Sequence, residues 1–173
     1  MKGLFAMVLV VAASAGCGGG PVVGTTRVEA PLSDVVRAHK ALVVVGASPR
    51  GEWAPDAKAI AAFVVPRLQA LGYFAAVVDE AGAARTEVDL ELRVTITKLS
   101  RVTAADRKAK GDGAGPAEVV TTTRLLDRTN GAEIGRARIA ASGYEGPRGG
   151  TTEDADYEVA RRVVALVSGR PVE

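Results

Sequence analysis

The chain holds one cysteine, Cys17, and one histidine, His39, and those two counts bound its chemistry before any element is drawn. A lone cysteine leaves no internal disulfide and no multi-cysteine zinc site. His39 has no second histidine or cysteine with which to share a metal, and beside Lys40 it reads as a solvated side chain. The stretch VVVGASPRGEW, residues 43–53, follows an apolar run and precedes a helical pattern. In that context backbone amides and a helix N-terminus can hold phosphate. Gly46 and Gly51 have the glycine spacing of a Walker A loop, which then requires lysine and a hydroxyl residue. Glu52 and Trp53 stand there instead, and Glu52 repels phosphate. As a nucleophile elbow, Gly46-Ala47-Ser48-Pro49-Arg50 lacks the second glycine. Gly46, Ser48, Arg50 and Gly51 therefore stand as a ligand-binding alternative to a plain strand-to-helix turn.

VVVGASP also resembles the opening strand and loop of coenzyme-A-binding Rossmann domains, over little more than this β-α stretch. The resemblance implies a nucleotide or coenzyme A ligand, but the later strands do not continue a parallel βαβ series. KGDGAGPAE, residues 110–118, is a second glycine-rich stretch whose amides could cradle an anion. A strand rather than a helix follows it, so a flexible connection is the simpler reading. Glu153, Asp154, Asp156 and Glu158 lack the spacing and glycine of a calcium loop and suit the positive end of a helix. Ser142, near Tyr144, has no positioned base in the sequence. No complete catalytic constellation is present, so the expectation is a non-enzymatic protein with no cofactor and no metal.

Location is written more clearly than chemistry. Met1-Lys2-Gly3 is a short positive start, and residues 4–13, LFAMVLVVAA, are an unbroken apolar run of ten. A spanning helix needs about 20 such residues, so the run fits the core of a secretory signal. Ser14-Ala15-Gly16-Cys17 resembles a bacterial lipobox, in which small residues precede a cysteine that is lipidated and becomes the mature N-terminus. Ala15 and Gly16 fit; Ser14 stands where that motif usually has leucine. The alternative is a plain signal peptide cut near Ala13 or Ala15, which leaves an exposed thiol in an oxidising compartment. The lipobox resemblance implies a diacylglyceryl thioether on Cys17 and a third acyl chain such as palmitate, more than stable anchoring requires. Gly18, where some lipoproteins carry an inner-membrane retention aspartate, points by the same resemblance to the outer membrane. The domain then faces the periplasm.

Over 173 residues, 22 basic and 20 acidic side chains nearly balance, so no concentrated basic character points to nucleic acid. Apolar residues make up 47% and aromatics only 4%, so the core must be built mainly from Val, Leu, Ile and Ala. We divide the chain into a signal peptide (1–16), a lipidated N-terminus and flexible tether rich in Gly, Pro and Thr (17–33), and one α+β domain (34–173). A short strand near 26–29 is a further expectation within the tether.

Residues 41–45 form a buried strand, and 55–71 a helix that Pro66 should kink or split. Residues 74–78 make a second strand and complete a β-α-β unit. Val88, Leu90, Leu92, Val94 and Ile96 alternate with Asp89, Glu91, Arg93, Thr95 and Thr97, the period of a strand with one buried face. After a polar loop, strands at 118–126 and 133–141 are joined by DRTNGAE, in which Asn130-Gly131 can take the positive φ of a turn. Thr151 or Thr152 caps a last helix that Gly169 and Pro171 stop. The order β-α-β-β-β-β-α predicts a two-layer α+β sandwich. Its mixed sheet has about five strands, with two helices on one face.

LQALGY at the end of the first helix, the alternating strand, the GDGAG loop, LLDRTNGAEIG and the last helix together resemble a known family. These are small bacterial envelope lipoproteins grouped as domain of unknown function 4410. Gly111, Gly113, Gly115, Asp127, Asn130 and Gly131 fit its G-x-G-x-G loop and D-x-x-T/N-G turn. The resemblance carries no catalytic residue onto this chain. Its implication is an envelope lipoprotein, held in the membrane by its lipid, that binds another envelope protein; a wall-linked structural role is the third class.

Overall fold

The computed structural model describes residues 22–30, 40–144 and 149–170. In chain order its elements are β1 (Val22–Ala30), β2 (Ala41–Ala47), α1 (Ala54–Leu71), β3 (Ala76–Asp79) and α2 (Glu80–Ala83). There follow β4 (Leu90–Ser100), α3 (Ala104–Lys110), β5 (Glu118–Asp127), β6 (Glu133–Gly143) and α4 (Thr152–Ser168). The strands make one sheet in the order β1-β6-β5-β4-β2-β3. β2 is parallel to both β3 and β4, and the remaining pairs are antiparallel. This is the mixed α+β architecture expected, with the short strand read near 26–29 present as a longer sixth strand, Val22–Ala30, of the same sheet.

That strand lies inside the stretch read as a spacer. Val22–Ala30, VVGTTRVEA, is rich in β-branched residues, which favour extended backbone. It pairs along β6, from Val22 opposite Gly143 to Arg27 opposite Arg138. The Gly and Pro content that suggested a spacer is concentrated before it. The folded unit therefore includes residue 22, not only residues from 34.

α1 and α4 pack against each other and on the same face of the sheet. Between them and the sheet lie Leu42, Val44, Ile60, Val64, Leu68, Leu92, Val94, Ile96, Val119, Leu125, Ile139, Val159 and Val163, all within 1% of full burial. The alternation in β4 places Leu90 to Ile96 as read, except that Val88 and Asp89 precede the strand. The Asp89 carboxylate accepts a 2.8 Å bond from the Ala41 backbone N–H and ties the start of β2 to that of β4.

α1 is one continuous helix despite Pro66. The proline removes the hydrogen bond to the Ala62 carbonyl, but Ala62 and Pro66 both face solvent, where water can meet that oxygen. Gly72 and Gly169 end α1 and α4 with φ of 66° and 65°. Two short helices were not read from the sequence. α3 opens on a capping box in which Thr103 Oγ1 accepts from the Asp106 N–H and the Asp106 carboxylate accepts from the Thr103 N–H, each at 3.0 Å. α4 begins the same way with Thr151 and Asp154.

Candidate functional site

β2 ends at Ala47 opposite Thr95, and the parallel β4 runs on to Ser100; past these carboxyl ends the chain leaves to α1 in one case and α3 in the other. In parallel sheets such a divergence is where ligands bind. The 46–51 loop stands here, and each of its four candidate residues has a partner or a place of its own. A Cβ on Gly46 would lie 2.1 Å from the Ala57 carbonyl oxygen, so this glycine lets α1 sit directly on β2. Ser48 Oγ donates to the Arg50 carbonyl at 2.8 Å and accepts from the Arg50 N–H at 3.1 Å, closing a local turn. The Arg50 guanidinium covers the Trp53 ring at 4.6 Å and lies 3.7 Å from Glu52. Gly51 meets no atom within 4 Å of a Cβ position. The loop thus reads as a packed turn with an exposed tip.

Behind it lies a charged cluster that sequence spacing did not reveal. Arg101, just past β4, donates to the Glu52 carbonyl and to the Asp56 carboxylate. Asp156, one turn into α4, is 4% exposed, and its Oδ1 has no hydrogen-bond partner. Burial pushes its carboxyl up to about 8, the nearby Asp56 charge adds to that, and Arg101 opposes it. The cluster joins the start of α1, the end of β4 and the start of α4. Thr152 fastens the same junction, exchanging backbone and hydroxyl hydrogen bonds with Val102 at 2.8–3.3 Å. Chemically the cluster can hold a proton near neutrality. Asp56 and Arg101 satisfy each other, and among the described residues no group of three His, Cys, Asp or Glu is placed to bind a metal.

The 110–118 stretch is more ordered than a flexible connection. Gly111–Ala114 forms a tight helical turn, and Gly111 and Gly115 take φ of 54° and 68°. The buried Arg107 donates at 2.6 Å to the carbonyls of Gly115 and Gly150, clamping this loop to the approach of α4. The loop therefore turns the Gly115 carbonyl oxygen inward to a resident cation. The acidic residues of 153–158 also diverge. Asp154 serves the cap, Glu158 pairs with Arg161 and Arg162 at 3.1 and 2.7 Å, and Asp156 belongs to the buried cluster. Ser142 donates only to its neighbour's carbonyl at 3.3 Å. Cys17 and His39 lie outside the described residues.

The geometry is that of a two-layer domain in which the charged groups at this end of the sheet are spent on junctions, with no assembled catalytic set among the described residues. The chain belongs to the DUF4410 family, a domain of unknown function whose model matches residues 37–147. No curated protein matches the sequence. Among solved structures it resembles the PelC dodecamer from Paraburkholderia phytofirmans in two crystal forms. One is 22% identical with a TM-score of 0.55 and covers 87% of this chain and 98% of that one. The other, a point variant, is 23% identical with a TM-score of 0.53 and covers 84% and 98%. Protein XCC0632 from Xanthomonas campestris is 17% identical, with a TM-score of 0.49 over 82% and 89% of the two chains. At these identities the likeness is one of fold.

Proposed function

We propose that the protein is a lipid-anchored envelope lipoprotein, attached through Cys17 to the outer membrane with its domain in the periplasm, and that it acts by binding rather than catalysis. The observation that carries this is the apolar run 4–13 ended by Ser14-Ala15-Gly16-Cys17. Membership of the family supports it, as does a site whose polar groups are turned on one another. Cys17→Ala should move the protein from the membrane to the soluble periplasmic fraction, and the wild-type N-terminal peptide should carry lipid by mass spectrometry. An unmodified peptide starting elsewhere would end the anchor reading.

A second reading concerns the partner. The PelC structures are dodecamers, and in this chain the long strand β1 forms an edge of the sheet among the described residues. An unpaired edge is a template for another chain. Self-association through that edge is the form of binding we favour, and the mass of the detergent-solubilised protein, monomer or ring, decides it. Nucleotide or coenzyme A binding at the 46–51 loop remains the alternative, which calorimetry with those ligands addresses.

A further inference from the structure

The face of the sheet away from α1 and α4 carries an ordered array of arginines. Arg93, Arg124 and Arg136 are Cα partners across β4, β5 and β6, so they stand in one row. In the next row Arg138 of β6 is the partner of Arg27 of β1, followed by Thr122 and Thr95. Neighbouring strands are about 4.8 Å apart and successive same-face residues about 7 Å apart, so the five side chains share a compact patch. Like charges placed directly opposite each other destabilise a sheet unless something answers them.

Part of the array is answered within the chain. Glu133 pairs with both Arg124 and Arg136, at 2.7 Å to the latter, and these arginines hold its carboxyl below the usual range. Glu91 pairs with Arg93 and Glu118 with Lys98, each at 2.6 Å. Glu29, at the bulge where β1 ends, adds its field at Arg136. Arg27 and Arg138 are different. Both are exposed, they face each other across the β1–β6 ladder, and neither has a carboxylate partner among the described residues. β1, β4, β5 and β6 contain no aromatic residue, so these strands carry none of the ring platforms on which successive bases stack.

We infer that this arginine face docks on the anionic phospholipid headgroups of the membrane that anchors the chain, with Arg27 and Arg138 as the principal contacts. The inference rests on the anchor reading in one respect, which is distance. Cys17 precedes Val22 by five residues, and five extended residues reach at most about 18 Å. An acylated Cys17 therefore holds the start of β1 within that distance of the bilayer, on the strand that carries Arg27. Guanidinium groups match phosphate oxygens in charge and geometry. Anchoring supplies a high local concentration, so even a weak attraction suffices to lay the sheet on the membrane and turn α1 and α4 outward.

The test uses a chain beginning at Gly18, which keeps every described residue and lacks the acylated cysteine. Co-sedimentation is measured with vesicles of equal parts phosphatidylglycerol and phosphatidylcholine, and with phosphatidylcholine alone. The expected result is binding to the anionic vesicles only, falling away between about 50 mM and about 0.5 M salt as screening shortens. Arg27→Gln with Arg138→Gln should weaken it about thirtyfold, roughly fivefold for each cation. Lys58→Gln, on the exposed side of α1, should leave it unchanged. Circular dichroism confirms that the surface variants fold.

Equal binding to both vesicles, wild-type binding by the double variant, or an equal loss in Lys58→Gln overturns the inference. So does a double variant that loses self-association while keeping vesicle binding, because the face is then an interface between copies. The mass of the native N-terminal peptide separates the two readings. Absence of lipid with intact vesicle selectivity removes the anchor and keeps the face; lipid without selectivity does the reverse.

Discussion

Asp156→Asn should flatten the dependence of stability on pH. In the folded protein the Asp156 carboxyl is 4% exposed, has an oxygen without a hydrogen-bond partner, and sits near the Asp56 and Glu153 charges, with Arg101 as the opposing cation. Its folded value near 8 lies well above the ordinary 3.8 that applies when the chain is unfolded. Between those limits the folded state binds a proton that the unfolded state has released. The stability linked to this group is therefore complete below about pH 4 and is lost progressively as pH rises towards 8. The slope is at most about 1.4 kcal/mol per pH unit, or about 3 kcal/mol between pH 5 and 7. At roughly 3 °C per kcal/mol for a chain of this size, the midpoint falls by something close to 10 °C over that interval. Asparagine fills the same space without a charge to desolvate and removes the slope. The assay is thermal unfolding of both proteins in steps from pH 4.5 to 8, read as the difference curve. The carboxylates of Asp106 and Glu133, held low by Lys110 and by Arg136, act below this window and with the opposite sign. Parallel curves for the two proteins would refute the reasoning, because Asp156 would then be ionised in the folded state. Arg101→Gln, which removes the opposing cation, should carry the loss of stability to higher pH.

Gly46→Ala should cost about 1–3 kcal/mol in urea unfolding, because the new methyl group meets the Ala57 carbonyl and α1 must lift from β2. Gly51→Ala, where a Cβ meets nothing and φ is not positive, should stay within about 0.5 kcal/mol of wild type. That contrast separates a packing glycine from a ligand loop, in which both glycines would matter for binding and neither for folding. Thr103→Ala removes the α3 cap and should cost about 1 kcal/mol, measured in the same way.

The parts of the fold that were legible are those governed by short periods. The alternation from Leu90 to Ile96 repeats every two residues, and Ile60, Val64 and Leu68 repeat with the helical turn, so each marks its buried face without knowledge of its neighbours. β1 carried the same signal in its valines and threonines, legible as a short strand near 26–29, but the glycines and the proline just before it masked its true length and its place in the sheet. α3 is marked by Thr103 and Asp106, a cap-to-third-residue pair, but its seven residues are too few to display a helical period. The Asp56–Arg101–Asp156 cluster was not readable in that way. Its members lie 45 residues apart or more, and Asp156 looks like an ordinary first-turn carboxylate until packing removes its water. The arginine rows depend on register. Arg93, Arg124 and Arg136 become neighbours only once the β4–β5 and β5–β6 ladders are fixed, bulges included.

β1 changes the mechanical meaning of the N-terminus. A spacer running to residue 33 would leave the domain free to turn about its attachment. With residues 22–30 laddered to β6, a pull at Cys17 is delivered to the edge of the sheet within five residues. That edge is held from the helix layer as well. Arg162 of α4, 3% exposed and paired with Glu158 at 2.7 Å, lies under β1, where a Cβ at Gly24 would stand 1.9 Å from its Nε. Removing one member of a buried ion pair leaves the other charge stranded at a cost of several kcal/mol. Glu158 and Arg162 therefore keep β1 seated, and the strand is fixed to both layers. On the proposed Cys17 anchor, a domain built this way has few orientations open to it. On the docking proposed above, charges on its outer sheet face, Arg27 first among them, would then select which of those orientations the bilayer favours.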